Sequence, residues 1–266
     1  MSNPRLPAEL LDHVVDFLHH DEYLLRNCCL LSKSWIPRTR KHLFTYVRFD
    51  NAKCLRSWKE TFPDPSTSPA RYAKKLLVNC PLDVTAADAE AGGWIRSFSR
   101  VVALRLAHPQ EKFVDELGKC LVPFHGFSPV IKSLFVKIPF LSSSQIFDLI
   151  FSFPLLEDLS IFTLTSLTVE NDHPNLLPTA TLPSTPPMTG YLYLFRRKGL
   201  KPLARRLLSL PGGIHFQNIF LTLHYEEDYS LATALVEGCS HVLKSLNIIC
   251  EYDFFFLGPN LLCRGV

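Results

Sequence analysis

An excess of charge of one sign is missing from this 266-residue sequence, whose formal net charge is only +3 at pH 7. A protein that binds nucleic acid through its phosphates normally carries a basic patch or stripe. The best nucleic-acid candidate, the basic run RTRKH at residues 38–42, is short and lacks interleaved aromatic residues. We interpret it as a solvated helix face, and no nucleic acid partner is predicted.

Closely spaced cysteine pairs of the CxxC type are also absent, although the chain contains eight cysteines. Scattered cysteines in a chain of this size, without a secretory signal, are typical of reduced and mostly buried thiols. The histidines show no metal-binding spacing either. The sequence therefore predicts neither a metal site nor any other cofactor.

Targeting and membrane signals are lacking as well. The first residues, MSNPRLPAELL, have no basic start followed by a continuous apolar stretch. The most apolar long window, residues 146–167, is interrupted by Pro154 and contains Asp148, Glu157 and Asp158. We expect a soluble protein of the cytoplasm, the nucleus or both, with no membrane partner.

Catalytic motifs are missing too. The sequence contains no GxSxG, no HExxH and no phosphate-binding glycine-rich loop. The carboxylate neighbours Glu157 and Asp158 fit solvated charge better than a paired acid and base. The sequence predicts a protein that is not an enzyme.

What the sequence does contain begins with three short helices in the first 48 residues. Pro7 suits the first turn of one helix, Asp21 can cap a second and Ser34 a third. Their large apolar side chains recur at helical spacing and outnumber those that so small a module can bury. Either these helices pack on the rest of the chain or their outer apolar residues contact another protein.

Beyond a connecting segment, short runs with alternating apolar residues recur. Their central leucines lie 25 to 30 residues apart in several places, as between Leu104, Leu134 and Leu159, with one gap of 62 before Leu221. A period in the twenties is typical of leucine-rich repeats, in which a strand alternates with a helix or a looser turn. The runs are KKLLVNC (74–80), VVALRLAH (101–108), IKSLFVKI (131–138), LEDLSIFTL (156–164), FQNIFLTLHY (216–225) and LKSLNIIC (243–250).

These patterns predict an α/β fold, α+β overall, with three parts. A helical module covers residues 1–48, a connecting segment 49–73, and an irregular leucine-rich-repeat-like β/α solenoid 74–266. The proline-rich stretch 165–190 is predicted to be an inserted surface loop. After the last run, the apolar residues 251–266 either fold back as a cap or mark a sequence that continues further.

In such a solenoid, the side chains between the buried leucines face outward from the sheet. They are candidates for contacts with a protein target, although an exposed strand residue without a partner is an equal alternative for each. These residues are Arg105, Phe135, Lys137, Ser160, Phe162, Thr222, His224 and Asn247.

The first helices also resemble a known family. LPAELL at 6–11, a short polar break after Leu18, and LLSKSW at 30–35 followed by Leu43 and Phe44 are similar to the F-box, in particular that of many fungal F-box proteins. This resemblance covers about residues 5–48. It implies that the module binds the Skp adaptor of a cullin-RING ubiquitin ligase. The residues it places at that contact, or in support of it, are Leu6, Pro7, Leu10, Leu11, Val14, Leu18, Leu31, Trp35 and Leu43.

The resemblance implies a function for the whole chain. The F-box would bind the Skp adaptor, and the repeats would hold a protein target for ubiquitination by the ligase. The alternative is a protein-interaction scaffold on leucine-rich repeats that delivers nothing for degradation.

Overall fold

The computed structural model describes residues 7–79, 93–107, 121–138, 141, 143–163, 186–196, 201–223 and 227–250. Within these ranges the chain is a mixed α/β protein with an open sheet, so the predicted α/β class is confirmed. In the part of the chain so described, every helix is too short or too polar to cross a membrane.

The helices fall into two groups. The first three precede the sheet, and each of the others lies between two strands that follow one another in the chain. They are α1 (Ala8–Phe17), α2 (Glu22–Leu31), α3 (Ile36–Leu43), α4 (Ala52–Thr61), α5 (Gly93–Arg96), α6 (Ser143–Phe151), α7 (Lys201–Leu208) and α8 (Glu227–Cys239). Single 3-10 turns cover Lys33–Trp35, Pro69–Tyr72 and Val122–Phe124.

The sheet has eight parallel strands in which the order in space equals the order in the chain. Each strand from the second to the seventh therefore pairs with the one before it and the one after it, and each connection returns the chain to the same end of the sheet. The strands are β1 (Tyr46–Phe49), β2 (Lys75–Val78), β3 (Ala103–Ala107), β4 (Ser133–Lys137), β5 (Asp158–Thr163), β6 (Tyr191–Arg196), β7 (Asn218–Leu223) and β8 (Ser245–Cys250).

The strand register aligns one buried residue from each of the strands β1 to β7 across the sheet. Leu104, Leu134 and Leu159 are successive partners, as the repeat spacing predicted. At the ends of the series the aligned residues differ from the leucines used to count the spacing. The partner of Leu104 on β2 is Leu76, whereas the spacing was counted from Leu77, and the partner of Leu246 on β7 is Ile219, whereas the spacing was counted from Leu221.

Two strands were missed in the sequence, and both change the predicted boundaries. Strand β1 starts the sheet within the predicted helical module, and α4 lies in the segment predicted to be a connection. Strand β6 follows Gly190 directly and supplies the missing repeat between Leu159 and Leu221. Most of the predicted insertion, residues 164–185, lies outside the described residues.

The core lies between one face of the sheet and the helices that follow the strands. Ile150 of α6, Leu207 of α7 and Leu235 of α8 are each fully buried in one continuous apolar cluster with the strand leucines. This cluster extends from Val47 on β1 to β7, whereas all six residues of β8 are exposed. The other face of the sheet, called here the outward face, is built from the residues that alternate with the core positions, such as Arg105 and Phe135.

Candidate protein-interaction surfaces

The helices of the N-terminal module begin at residues suited to helix starts. Pro7 precedes α1, and the carboxylate of Asp21 accepts a hydrogen bond of 2.9 Å from the backbone N–H of Leu24 at the start of α2. Pro37 lies in the first turn of α3, where its missing N–H costs little. Ser34 does not cap α3, because it lies inside the preceding 3-10 turn, which Ser32 caps.

The N-terminal module has a small core of its own. Val15, Leu25 and Cys28 are almost fully buried, yet none of them belongs to the continuous apolar cluster of the sheet. Helix α3 contacts both α1 and α2, and it also contacts the 3-10 turn Pro69–Tyr72 that precedes β2. The module is therefore attached to the sheet domain through α3, and its buried interior is too small to contain all of its apolar residues.

The first helix has two apolar stripes, one inside and one outside. Leu11, Val15 and Leu18 follow helical spacing on the inner side, where Val15 is 1% exposed. Leu10 and Val14 lie one position before them and are 50% and 46% exposed. Three large apolar side chains at the ends of the helices are even more exposed, namely Phe17, Leu30 and Leu31. Such a concentration of exposed apolar groups on one small module is typical of a contact surface.

The residues predicted to contact the Skp adaptor divide into groups. Pro7, Leu10, Val14 and Leu31 are exposed. Half-buried positions, suited to supporting the helices, are Leu11, Leu18, Trp35 and Leu43. Leu6 lies outside the described residues. The predicted set thus contains exposed side chains, which are accessible to a partner, and half-buried side chains, which pack within the module.

Sequence reasoning missed the most exposed apolar residues of the N-terminal module. Phe17 and Leu30 are each 85% exposed, and Tyr23 is 72% exposed. Phe17 could have been found, because it follows Leu10 by seven positions and Val14 by three, which places all three on one side of α1. Leu10, Val14 and Phe17 are called the outer stripe below.

An ionic cluster connects the first and third helices. The carboxylate of Asp16 on α1 accepts a hydrogen bond of 2.6 Å from Nε of Arg38 and a second from Nη2 of the same residue. Nε2 of His42 lies 2.7 Å from the same carboxylate. The Arg38 guanidinium, followed by His42, holds the pKa of Asp16 well below its usual range. Part of the run 38–42, predicted to be a solvated face, therefore connects α3 to α1, while Arg40 and Lys41 are exposed.

The second surface lies on the outward face of the sheet. The register places Arg105, Phe135, Ser160, Tyr193 and Phe220 side by side on β3 to β7. Two residues further along the strands, a second row on the same face runs through Lys137, Phe162 and Phe195. Together the two rows line a shallow depression of about 280 Å³, whose lining residues are Arg105, Phe135, Lys137, Ser160, Phe162 and Tyr193.

Aromatic rings and cations are in contact across this depression. The guanidinium carbon of Arg105 lies 4.2 Å from the centre of the Phe135 ring, and Nζ of Lys137 lies 4.7 Å from that of Phe162. Phe162 also stacks on Phe195, with ring centres 4.4 Å apart. Cations held over ring faces, and rings stacked in parallel, have fewer conformations to lose when a partner binds.

The residues predicted to face outward and to contact a protein target are not all exposed in the structure. Arg105, Phe135, Lys137 and Phe162 lie together in the depression with Ser160. Asn247 is exposed on β8. The prediction was wrong for Thr222, which lies on the outward side of β7 yet is fully buried. His224 lies outside the described residues.

Tyr193 was missed in the sequence because β6 was missed. Its ring stacks on that of Phe220, with centres 4.3 Å apart. The signal was present in YLYLFR at 191–196, a run of alternating apolar residues directly after Gly190.

The cysteines only partly follow the prediction of buried thiols. Cys28 and Cys239 are buried, Cys29 is half-buried, and Cys54 and Cys250 are exposed. Burial raises the pKa of the Cys28 and Cys239 thiols, because it disfavours the charged thiolate. Among the described residues, no group of three or more histidine, cysteine or acidic side chains has the geometry of a metal site.

No protein-family model matches this chain, and no curated protein matches its sequence. Evidence on function therefore comes from the residue pattern, the fold and the two surfaces described above.

Proposed function

We propose that this protein is the substrate-receptor subunit of a Skp-cullin-F-box ubiquitin ligase. The helices α1 to α3 act as the F-box and bind the Skp adaptor, and the sheet domain holds the target protein. The observation that carries the proposal is the outer stripe of α1, where Leu10, Val14 and Phe17 are exposed on a module whose small core leaves them uncovered.

Energetics favour burial of this stripe in a complex. Complete burial of a large aliphatic side chain contributes about 1.5–3 kcal/mol, and Leu10 and Val14 have about half of that still to gain. Phe17 and Leu31, at 85% and 72% exposure, have most of it to gain. Together with Leu30, these side chains offset an association cost of several kcal/mol.

The sheet domain fits the second part of the role. We interpret its eight sequential parallel strands, with buried leucines in register, as an irregular leucine-rich-repeat solenoid. A solenoid of this kind presents a long row of outward side chains, on which a target protein can bind. The chain acts by holding target and ligase together, which raises the local concentration of the target, and needs no catalytic residue or cofactor of its own. The proposed location is the cytoplasm, the nucleus or both.

Co-purification of the full chain with the Skp adaptor tests the proposal. We expect the wild-type chain to capture the adaptor, and Leu10→Ala with Val14→Ala to weaken the complex about tenfold or more, since about 1.4 kcal/mol corresponds to a factor of ten. Leu155→Ala is the matched control, because Leu155 is 47% exposed but lies between α6 and β5, away from the helical module. Wild-type chain that does not capture the adaptor would refute the proposal.

A second measurement separates the ligase role from the scaffold alternative. Cullin added to the adaptor complex is expected to join it if the protein delivers targets for ubiquitination. An adaptor complex that excludes the cullin would favour the scaffold.

A further inference from the structure

We infer that the outward face of the sheet binds an extended acidic segment of its protein partner, with two carboxylates held by Arg105 and Lys137. This inference rests on the proposed function, in which the sheet domain receives the target, and it names the chemistry of that target. The binding site is the depression of about 280 Å³ on the outward face of β3 to β6.

The charge of this depression is the first argument. Among the residues that the structure describes, its lining contains two cations, three aromatic rings and one serine, and no carboxylate. Two other cations near strands of the sheet are paired: Arg48 lies 2.5 Å from Asp50, and Lys132 lies 2.7 Å from Glu157. Among the described residues, neither Arg105 nor Lys137 has an acidic partner within ion-pair distance. The depression is therefore a positively charged surface whose complement is an anionic group.

Aromatic rings hold both cations of the depression in place. Arg105 lies over the Phe135 ring and Lys137 over the Phe162 ring. A guanidinium has five N–H donors, and a contact with one ring leaves donors that can pair with the two oxygens of a carboxylate. The rings thus fix the cations in place and leave their donors available to a ligand.

Spacing is the third argument and indicates an extended ligand. Phe135 is the register partner of Arg105, and Lys137 follows Phe135 by two positions on β4, so the two cations are diagonal neighbours. Strands about 4.8 Å apart with a rise of about 3.3 Å per residue place such neighbours about 8 Å apart at the backbone. Alternate side chains of an extended peptide repeat at about 6.6 Å, which flexible Arg and Lys side chains can match. Two carboxylates separated by one residue fit this pair better than one compact dianion does.

The stacked aromatic rings of the outward face indicate which side chain of the ligand lies beside its carboxylates. Phe162 stacks on Phe195, and Tyr193 stacks on Phe220, so the rings continue from the depression towards β7. Half-buried rings of this kind favour contact with an apolar or aromatic side chain. The preferred segment therefore has acidic residues at alternate positions, followed by an apolar residue.

Fluorescence polarisation with a synthetic peptide tests the inference on the full chain without adaptor. The probe is a fluorescein-labelled extended peptide with glutamate at two alternate positions followed by a phenylalanine, and its counterpart carries glutamine in place of glutamate. We expect the glutamate peptide to bind more tightly than the glutamine peptide, and binding to weaken as salt is raised, because exposed ion pairs are screened.

Variants then locate the binding. Arg105→Gln with Lys137→Gln is expected to weaken binding of the glutamate peptide about tenfold, the effect of losing two exposed ion pairs. Arg48→Gln is the matched control, because Arg48 lies on the same row of the outward face but already pairs with Asp50. Circular dichroism of each variant verifies that the sheet remains folded.

Three results would overturn the inference. They are equal binding of the glutamine peptide, no loss in the Arg105/Lys137 variant, and binding restricted to a peptide with phosphoserine in place of glutamate. Each leaves the proposed function untouched if the same chain captures the Skp adaptor. Conversely, loss of adaptor capture with intact peptide binding would refute the F-box role alone.

Discussion

Asp16 on α1 and Arg38 on α3 form a bidentate ion pair, with Nε of Arg38 2.6 Å from Oδ1 and its Nη2 bonded to Oδ2. These residues are distant in the sequence, and the pair, with His42, fixes the first helix against the third. The orientation of the outer stripe therefore depends on a carboxylate on the opposite part of the same helix.

Loss of this carboxylate is expected to loosen α1. Asp16→Asn removes the charge that Arg38 and His42 share, so amide hydrogen exchange in α1 should become faster at neutral pH, with α4 unaffected. Asp50→Asn, which breaks the separate Arg48 pair, is the control and should leave α1 unchanged. Unchanged exchange in α1 of Asp16→Asn would contradict the prediction.

The same pair predicts a pH dependence. Because the pKa of Asp16 is lower in the folded protein than its ordinary value, the pair contributes stability above an ordinary carboxyl pKa of about 4. That contribution is lost only as the pH falls below this value, towards the folded pKa. The difference in α1 exchange between wild type and Asp16→Asn should persist from pH 7 to about pH 5 and shrink in more acidic solution. A difference that already disappears near pH 6 would count against this assignment.

Ser128 connects two neighbouring repeats. Its hydroxyl lies 2.9 Å from the backbone carbonyl of Ser99 and 2.8 Å from that of Val101, and Ser128 is fully buried. Ser128→Ala leaves both carbonyls without this donor and should lower the free energy of unfolding by about 1–2 kcal/mol in urea denaturation. Ser97→Ala is the control, because Ser97 is half-buried and donates only to Trp94 within its own turn, so its loss should be smaller. Equal losses would show that burial of the bond is unimportant.

Replacement of Thr222 is expected to raise the free energy of unfolding. Its hydroxyl is buried on β7 and has no hydrogen-bond partner within the described residues. Thr222→Val keeps the shape and removes the unpaired hydroxyl, so the free energy of unfolding should rise by about 1 kcal/mol. Thr39→Val is the matched control and should lower it by a similar amount, because the buried Thr39 hydroxyl donates to the carbonyl of Trp35 at 2.6 Å. A destabilised Thr222→Val would show that the hydroxyl is satisfied.

Cysteine reactivity should follow burial. Iodoacetamide reacts with the thiolate, and burial raises the pKa of the Cys28 and Cys239 thiols, so these form thiolate only at higher pH. Cys54 and Cys250 are exposed and should be labelled about tenfold faster or more, as measured by peptide mass spectrometry. Labelling at equal rates in native protein, with urea-unfolded protein as reference, would contradict the burial of these thiols.

Much of the sheet could be predicted because its repeats carry a local signal. Alternating apolar residues located six strands, including β3, β4 and β5 with their aligned leucines. β1 was missed because four residues, YVRF, are too few to show alternation beside a helix. β6 was missed because it directly follows a proline-rich stretch, where no regular structure was expected.

The candidate sites were predictable only in part. Sequence alternation correctly placed Arg105, Phe135, Lys137 and Phe162 on one face, because the side-chain period of a strand is local. Tyr193 required the register of β6, and the burial of Thr222 depends on neighbours that are distant in the sequence. Helical spacing could have placed Phe17 beside Leu10 and Val14, but its exposure was decided by the packing of α1 against α3.

The sequence by itself determined the α/β class, the period of the repeats and the excess of apolar residues in the first helices, since each follows from patterns within a few turns or strands. Only the tertiary structure decided which of those apolar residues remain outside, because burial depends on how α1, α2 and α3 pack around Val15 and Leu25. It also decided that two cations and a series of stacked rings share one depression, because strand register brings together residues that the sequence keeps about thirty positions apart.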